Sequence, residues 1–542
     1  MSYWGIRYCI FIAILLAYST QSDAQQNVFQ RTYGNDYGNQ ANSVTTASDG
    51  GYVIGGWYDI SALFTSEFYL IRTDDQGDTL WARTYGEKTD SNARNGSGNQ
   101  GFHAFQTADQ GYFFVGEVHG FGAGSSDVYA IRLDASGDTL WSRTFGSPES
   151  DYGQNALQTS DGGFLIAGYT ESPDIDIRDA YLIRLNSAGN LRWARTFGGQ
   201  QIDAVSGLVQ STDGGFVMVG YTFSFGATSS QVYIIKTDSS GEVIWDYSVG
   251  GSSNDYGYSI DNTLEGGYII SGATESIGAG EEDLLLLKLD SLGNLVWSRA
   301  YGGQEYDAGN SVVQCLDGGF AVAGFTQSFG AGNRDVYLVR TNANGDTLWT
   351  RAYGGVEDDM GSSIRQTIDG GFIIAGHTLS FGVSNSDVYL IRVDSFGNSG
   401  CHEYQTQTQV TINSLEFNNV SSAVGTGARI GHPHTLTGYT ISNSTNACDF
   451  TIGLKEPLES DKIQLFPNPT SGQLTVEINS NEPATLDMLV IDLHGVTLWE
   501  TNDALPHTLD VSHLPDGIYV LQLRAARGLF TQRFVKHNTN GL

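Results

Sequence analysis

Seven acidic turns set at one spacing limit this chain to a small set of folds. Asp49-Gly50-Gly51, Asp109-Gln110-Gly111, Asp161-Gly162-Gly163, Asp213-Gly214-Gly215, Glu265-Gly266-Gly267, Asp317-Gly318-Gly319 and Asp369-Gly370-Gly371 recur every 52 residues, with a first interval of 60. Trp81, Trp141, Trp193, Trp245, Trp297 and Trp349 keep the same period, each 32 residues after its turn. A fixed period of this length means a solenoid, a propeller or an array. Within one copy the local chemistry is all β. Asn155 to Thr159 leads into a two-residue turn at Asp161-Gly162, where Asp and Gly tolerate positive φ, and Phe164 to Tyr169 returns. In the preceding copy a glycine-rich loop, Phe121 to Gly124, precedes the alternating strand Val128 to Leu133. The turn Asp134 to Asp138 then leads to a fourth strand, Leu140 to Phe145. Four antiparallel strands per copy make a propeller blade.

The two ends of the repeat select the propeller. In the seventh copy the turn Asp394 to Asn398 is present, but Cys401 stands where Trp is due. Phe29 to Gly34 matches the fourth strand Trp81 to Gly86, with Phe for Trp. The N-terminal strand is therefore expected to complete the seventh blade, which closes the ring and hides both sheet edges. The fold class is all-β, a seven-bladed propeller over residues 25–400.

The chain has 542 residues, 27 basic against 60 acidic, for a formal net charge of -33. That balance repels phosphate backbones and anionic lipid, so nucleic acid is not an expected partner. Residues 1–24 carry Arg7, the apolar run Cys9 to Ala17, and Ser22-Asp23-Ala24, and read as a secretory signal peptide cut after about Ala24. No later stretch is long and apolar enough for an integral membrane segment in the mature chain. Cleavage leaves Cys315, Cys401 and Cys448. In an oxidising compartment Cys401 and Cys448 are the expected disulfide, and Cys315, inside a repeat, is expected to be a packed free thiol.

The repeats resemble the DGG-and-Trp propeller repeats of secreted bacterial and archaeal surface proteins, whose motifs specify fold and say little about ligand. Residues 456–542 abandon the repeat. They hold Pro467, Asn468, Pro469 and Gly472, the alternating strands Leu474 to Ile478 and Leu486 to Val490, then Asp492, Gly495, Gly517, Tyr519 and the terminal strand ending at Lys536. Read from the residues, this is a small antiparallel β-sandwich. In its ordered motifs it resembles the type A sorting domain of the type IX secretion system. The resemblance implies export through that machinery to the medium or the outer cell surface, by way of the periplasm. Residues 401–455 between them are rich in Thr, Ser and Asn, and read as a linker or small β-segment clipped by the two cysteines.

A ligand site is expected where the copies depart from their shared pattern. Asp134, Asp238, Asp290 and Asp394 recur in one turn and are weak calcium candidates, since the dense Asp-x-Asp-x-Asp run is lacking; no other cofactor is expected. Asp151, Asp203, Asp255, Asp307 and Asp359 recur ten residues after each Trp, and either ring one face with negative charge or cap the amides of their own turns. Trp57, Tyr58 and Asp59 replace the Gly-Tyr-Thr type sequence of other copies, and would stack on and hydrogen-bond a sugar or pack under their own loop. Asp174 and Asp176 lie in an acidic loop, as do Glu281 and Glu282. The insertion from Glu87 to Gly101, with Lys88, Arg94 and nearby His103, is a place for specificity. No HExxH, P-loop, GxSxG or zinc spacing occurs. The expected function is therefore a non-enzymatic surface module binding a glycan, a protein or a cation. The alternatives are a glycan-active hydrolase or lyase using Asp59, Asp174, Asp176 or Glu281, and a structural spacer of the surface layer.

Overall fold

The computed structural model describes residues 27–59, 66–86, 98–119, 122–171, 178–226, 229–382, 385–412, 415–425, 429–430, 444–446, 463–466, 473–478, 485–491, 497–504, 507–515, 517–525 and 528–536. They fall into two compact units, Met1–Asp449 and Phe450–Leu542. The first is a seven-bladed propeller. Blade 1 holds the strands Asn39–Thr46, Tyr52–Asp59, Ser66–Thr73 and Thr79–Tyr85, paired in that order. Blades 2 to 6 repeat it, running from Gln100–Gln106 to Thr139–Gly146, Asp151–Gln158 to Leu191–Gly198, Asp203–Gln210 to Val243–Gly250, Asp255–Asn262 to Leu295–Gly302, and Asp307–Gln314 to Thr347–Tyr353. Blade 7 has three strands of its own, Asp359–Gln366, Phe372–Thr378 and Asp387–Val393, and takes Phe29–Tyr33 as its fourth. Tyr33 pairs with Val388 and Phe29 with Arg392, antiparallel, so the N-terminal strand closes the ring as its sequence implies.

The period of Trp is the period of the joint between blades. Each Trp on an outer strand packs on the glycine of the next blade's second turn: Trp81 on Gly137, Trp141 on Gly189, Trp349 on Gly397. Its ring also meets the aromatic three residues after the next blade's acidic turn, as in Trp141 against Phe164 and Trp297 against Phe320, both at 6.0 Å between centroids. Gly137 has φ 81°, and a Cβ there would touch both Trp81 and the Tyr85 hydroxyl, so conformation and space both require glycine. Tyr85 donates its hydroxyl to the Gly137 carbonyl at 2.8 Å, fixing the same joint with a hydrogen bond. At the closing joint Phe29 takes the Trp place, against Gly77 and, at 6.4 Å, Tyr52.

The acidic turns have a second role that their turn chemistry conceals. Each faces a basic residue 23 positions on, in the third strand of its own blade: Asp161 with Arg184 at 2.5 Å, Asp213 with Lys236 at 2.8 Å, Glu265 with Lys288 at 3.4 Å, and likewise in every other copy. The Arg side chains are buried and also donate to backbone carbonyls, as Arg184 does to Phe164 and Leu185. Removing one acid would leave a buried cation unpaired, the expensive half of such a pair.

The ten-after-Trp aspartates are buried and do not form a charged ring on a face. Asp203, Asp307 and Asp359 are each fully buried, accepting the amides of Gly199, Gly303 and Gly355 and the hydroxyls of Ser224, Ser328 and Ser380. Each meets a second buried acid across a glycine that has no room for a Cβ: Asp127 with Asp151 at Gly146, Asp179 with Asp203 at Gly198, Asp283 with Asp307 at Gly302, and Asp335 with Asp359 at Gly354. At the three remaining joints one acid is an amide: Glu67 with Asn99, Gln231 with Asp255, Asp387 with Asn39.

Residues 401–449 fall within the propeller unit. After blade 7 the chain runs backwards around the rim and lays a short strand on the outer edge of one blade after another. Glu403–Gln405 pairs with blade 6, Gln409–Thr411 with blade 5, Glu416–Asn419 with blade 4, Ala423–Gly425 with blade 3, Arg429–Ile430 with blade 2, and Ser444–Asn446 with the closing strand of blade 7. Side chains of this belt fill the seams: Leu415 is buried in the core, Phe417 packs on Tyr247 at 4.4 Å, and the Ser422 amide donates to Asp246 at 2.8 Å. Cys401 is disulfide-bonded, and Cys448, expected as its partner, lies outside the described residues. Cys315 is a buried free thiol, as expected.

The second unit has two antiparallel sheets, one of Ile463–Phe466, Gln473–Ile478 and His507–Asp510, the other ordered Thr497–Ala504, Thr485–Ile491, Gly517–Ala525 and Gly528–Lys536.

Two outcomes follow from these local geometries. Gln110 adopts φ 67° where the six sister turns have glycine, so Gln110→Gly is expected to stabilise the propeller by about 1 kcal/mol in urea unfolding. The two sets of acids titrate with opposite sign. Burial, with the facing carboxylate adding to it, pushes Asp151, Asp283 and Asp335 up to about 6 and Asp179 up to about 7. Such groups weaken the fold while ionised, and that penalty fades as pH falls from about 7 toward their unfolded values near 4. Burial raises Asp213 as well, but Lys236, Ser211 and the Gly215 amide outweigh it and hold the carboxyl at about 2, so its contribution is lost as pH falls from 4 through 2. Tm is therefore expected to rise from pH 8 to pH 5 and drop below pH 3, with Asp179→Asn flattening the upper limb; a flat upper limb in the wild type would refute the assignment.

Candidate ligand-binding face

Every inner strand carries a β-bulge at the same place, between Ala41 and Ser43, Gly101 and His103, Gly153 and Asn155, and so on around the ring. A bulge adds one residue and turns its side chain aside. The bulged residues Asn42, Phe102, Gln154, Ser206, Tyr258, Asn310 and Ser362 all line an axial cavity of about 820 Å³. Deeper in it stand His103, Asp261 and Arg365. Burial, reinforced by Arg365, pushes His103 down to about 3, so it is neutral at physiological pH, and its Nδ1 accepts the Ala156 amide at 3.4 Å. Asp261 accepts the Gln314 and Asn262 amides at 3.0 and 2.9 Å, and burial raises its carboxyl.

The second strand of each blade runs away from its acidic turn toward the opposite end of the blade. There the residue after the second-strand glycine differs from copy to copy: Trp57, Glu117, Tyr169, Tyr221, Ala273, Phe325 and His377. With their inner-strand neighbours these residues form a crescent of half-buried aromatics on blades 3 to 6. Tyr152 stacks on Tyr169 at 4.5 Å, and Arg178 lies over Tyr169 at 4.4 Å while pairing with Glu171 at 2.7 Å. Tyr221 meets Tyr256 edge-on at 5.6 Å, Tyr256 lies parallel to Tyr258 at 6.1 Å, and Arg334 covers Phe325 at 5.0 Å. Beside them a second cavity of about 560 Å³ is lined by Glu305, Gln327, Gly332, Asn333, Arg334 and Asp358.

The structure separates the residues singled out from sequence. Trp57 is half-buried and occupies the same column as Tyr169, because Gly56 aligns with Gly168. Tyr58, one residue on, points to the opposite side of the strand, where it is buried against Tyr69 at 5.0 Å. Asp59 is buried as well, with its carboxyl raised by burial. Glu281 is exposed and hydrogen-bonded to the Tyr306 phenol; Glu282 is half-buried, and burial together with Glu275 pushes it up to about 7. These two sit on blade 5 and Trp57 on blade 1, which are not neighbours in the ring. Asp174, Asp176, Lys88 and Arg94 lie outside the described residues, as do Pro467, Asn468, Pro469, Gly472, Asp492 and Gly495. In the second unit Tyr519 is buried and donates its hydroxyl to the Pro515 carbonyl at 2.9 Å, Lys536 is buried, and Gly517 opens a strand. The turn aspartates considered for calcium each accept two amides of their own turn, as Asp134 does from Ser136 and Asp138 at 2.8 and 2.9 Å. No group of three or more His, Cys, Asp or Glu side chains that could hold a metal ion occurs among the described residues.

Comparison with known proteins identifies the second unit. Residues 464–537 match the family described as the secretion system C-terminal sorting domain. The chain is thus a seven-bladed β-propeller protein carrying a type IX secretion sorting domain, which implies secretion or an outer-surface location. No helix among the described residues is long and apolar enough to cross a membrane. One curated relative, the regulatory protein FlaEY of Caulobacter vibrioides (strain ATCC 19089 / CIP 103742 / CB 15), is 25% identical over 169 residues, covering 28% of this chain and 18% of its own length. The chain thus spans less than a fifth of that relative. Among solved structures, one described as the crystal structure of the eukaryotic initiation factor covers 72% of this chain and 97% of its own, at 9% identity and a TM-score of 0.31.

If the second unit is the export address, a chain ending at Asp449 is expected to accumulate folded in the periplasm. Surface protease accessibility of intact cells checks this; a truncated propeller that still reaches the surface would rule it out.

Proposed function

We propose that the propeller is a non-enzymatic extracellular module that binds a neutral glycan at its aromatic mouth. The observation that carries this reading is the crescent Tyr152, Tyr169, Tyr221, Tyr256 and Phe325, built at positions where the ring's symmetry asks for no particular residue. Half-buried Tyr221 and Tyr256, with Tyr169 and Phe325 once Arg178 and Arg334 swing aside, would offer stacking faces to sugar C–H groups, and the bulged Asn, Gln and Ser side chains of the axial cavity offer uncharged donors and acceptors. Glu305 and Asp358 in the second cavity and the neighbouring Glu275, Glu281 and Glu282, on a chain of net charge -33, disfavour polyanionic glycans.

A hydrolase needs two carboxylates flanking one bond. Of the acids proposed for that role, Asp59 is buried on blade 1 and Glu281 is exposed on blade 5, which favours binding over catalysis. The test is calorimetric titration of the mature protein with neutral hexasaccharides of several backbones. At least one is expected to bind, and the double variant Tyr169→Ala, Tyr221→Ala to bind it about tenfold or more weakly with Tm little changed. Equal binding by the variant, or no binding by the wild type, overturns the proposal; release of shorter sugars during titration would favour the enzyme.

A further inference from the structure

Among the described residues that line the axial cavity there is one acid, Asp261, and one base, Arg365. They hold one register position on the inner strands of blades 5 and 7, opposite Ile269 and Ile373 of the second strands. The other five blades put Thr45, Phe105, Leu157, Val209 and Val313 there, so the scaffold requires no charge at this place. The position lies four residues before the acidic turn and five after Tyr256 of the aromatic crescent, roughly 15 Å along the strand from it. The Arg365 guanidinium donates to the Ile364 carbonyl at 2.6 Å and forms no ion pair with a described acid, whereas each of the seven third-strand bases has its turn acid in contact. Each oxygen of Asp261 accepts one amide, from Gln314 or Asn262, and keeps a further lone pair. Burial pushes the guanidinium down and the carboxyl up, as expected of two charges that have lost water without gaining a touching counter-ion.

We infer that the axial cavity is a second binding site, one for a small zwitterion, with Arg365 taking its carboxylate and Asp261 its ammonium. The site does not rest on the glycan reading. A guanidinium presents parallel N–H donors that match the two oxygens of a carboxylate, and the remaining lone pairs of Asp261 suit an ammonium N–H. With His103 neutral, the wall carries one positive and one negative charge. A ligand bearing a single charge satisfies one of them and is repelled by the other, while a zwitterion satisfies both. A cavity of about 820 Å³ admits a free amino acid or a peptide of a few residues, which carry the same pair of end charges.

The test is calorimetric titration of the mature protein with free alanine, leucine and glutamine, with dialanine and trialanine, and with propionate and propylamine as single-charge probes. At least one zwitterion is expected to bind, about tenfold or more tightly than either single-charge probe. Arg365→Gln and Asp261→Asn are each expected to weaken it about tenfold or more, and the double variant Tyr169→Ala, Tyr221→Ala to leave it unchanged, so this site and the glycan site fail separately. Binding by a free amino acid or by a peptide supports the site alike and tells which of the two it takes. No binding by any zwitterion, equal binding by propionate or propylamine, or equal binding by Arg365→Gln overturns the proposal, and the wild-type comparison decides even if a variant does not fold.

Discussion

Seven joints of one design hold the ring, and each is an aromatic side chain, Trp in six and Phe29 in the seventh, wedged over a glycine turn of the next blade. The joint couples a strand position to a turn position one blade away, so an error in either would open the circle. Trp supplies a large rigid surface for it, and the turn glycine supplies the missing Cβ that lets the ring sit down on the backbone. Because blade 7 borrows its outer strand, Phe29 must do the same work from the other end of the chain. The ring is thereby closed by a contact between residues more than 350 positions apart, such as Phe29 with Arg392. Such closure costs loop entropy that only the finished ring repays.

Around that joint the interior is more polar than a simple hydrophobic stack. The paired acids at Gly146, Gly198, Gly302 and Gly354 serve their own loops by accepting backbone amides, yet they face each other across the seam. The seams at Gly250 and Gly34 show the quieter solution, in which an amide replaces one acid and can donate as well as accept: Gln231 donates to the Gly251 carbonyl and Asn39 to Asp387. The protein therefore mixes two versions of one seam. Scaffold and site also separate cleanly: invariant columns hold joints and turns, and the varied column after the second-strand glycine holds the aromatic mouth.

The ring was legible because its signal is periodic and redundant. The acidic turn recurs seven times and the Trp six, and the orphan strand at Phe29 matches the gap left at Cys401. The belt was not, since strands such as Arg429–Ile430 are too short to show alternation and take their conformation from the edge they meet. In sequence the aspartates after each Trp fit either a charged face or caps on the amides of their own turns; the structure shows the caps, and only the three-dimensional seam reveals how deeply the facing strand buries them. Of Trp57, Tyr58 and Asp59, the alternation of a strand allows only every second side chain to face the mouth, which is why the first is at the site and the second is in the core. The bulged residues escaped notice for a related reason: one inserted residue reverses the inside–outside parity on which pattern reading depends. The variable column stands one residue after the second-strand glycine in all seven copies, so its place is periodic even though its residue is not.

One consequence of the belt concerns how the ends of the propeller unit are held. Its last short strand, Ser444–Asn446, lies beside Phe29–Tyr33 in a single sheet, antiparallel to it. The first and last described strands of the propeller unit are thus bonded to each other, so whatever frays one end of this unit also strips a neighbour from the other.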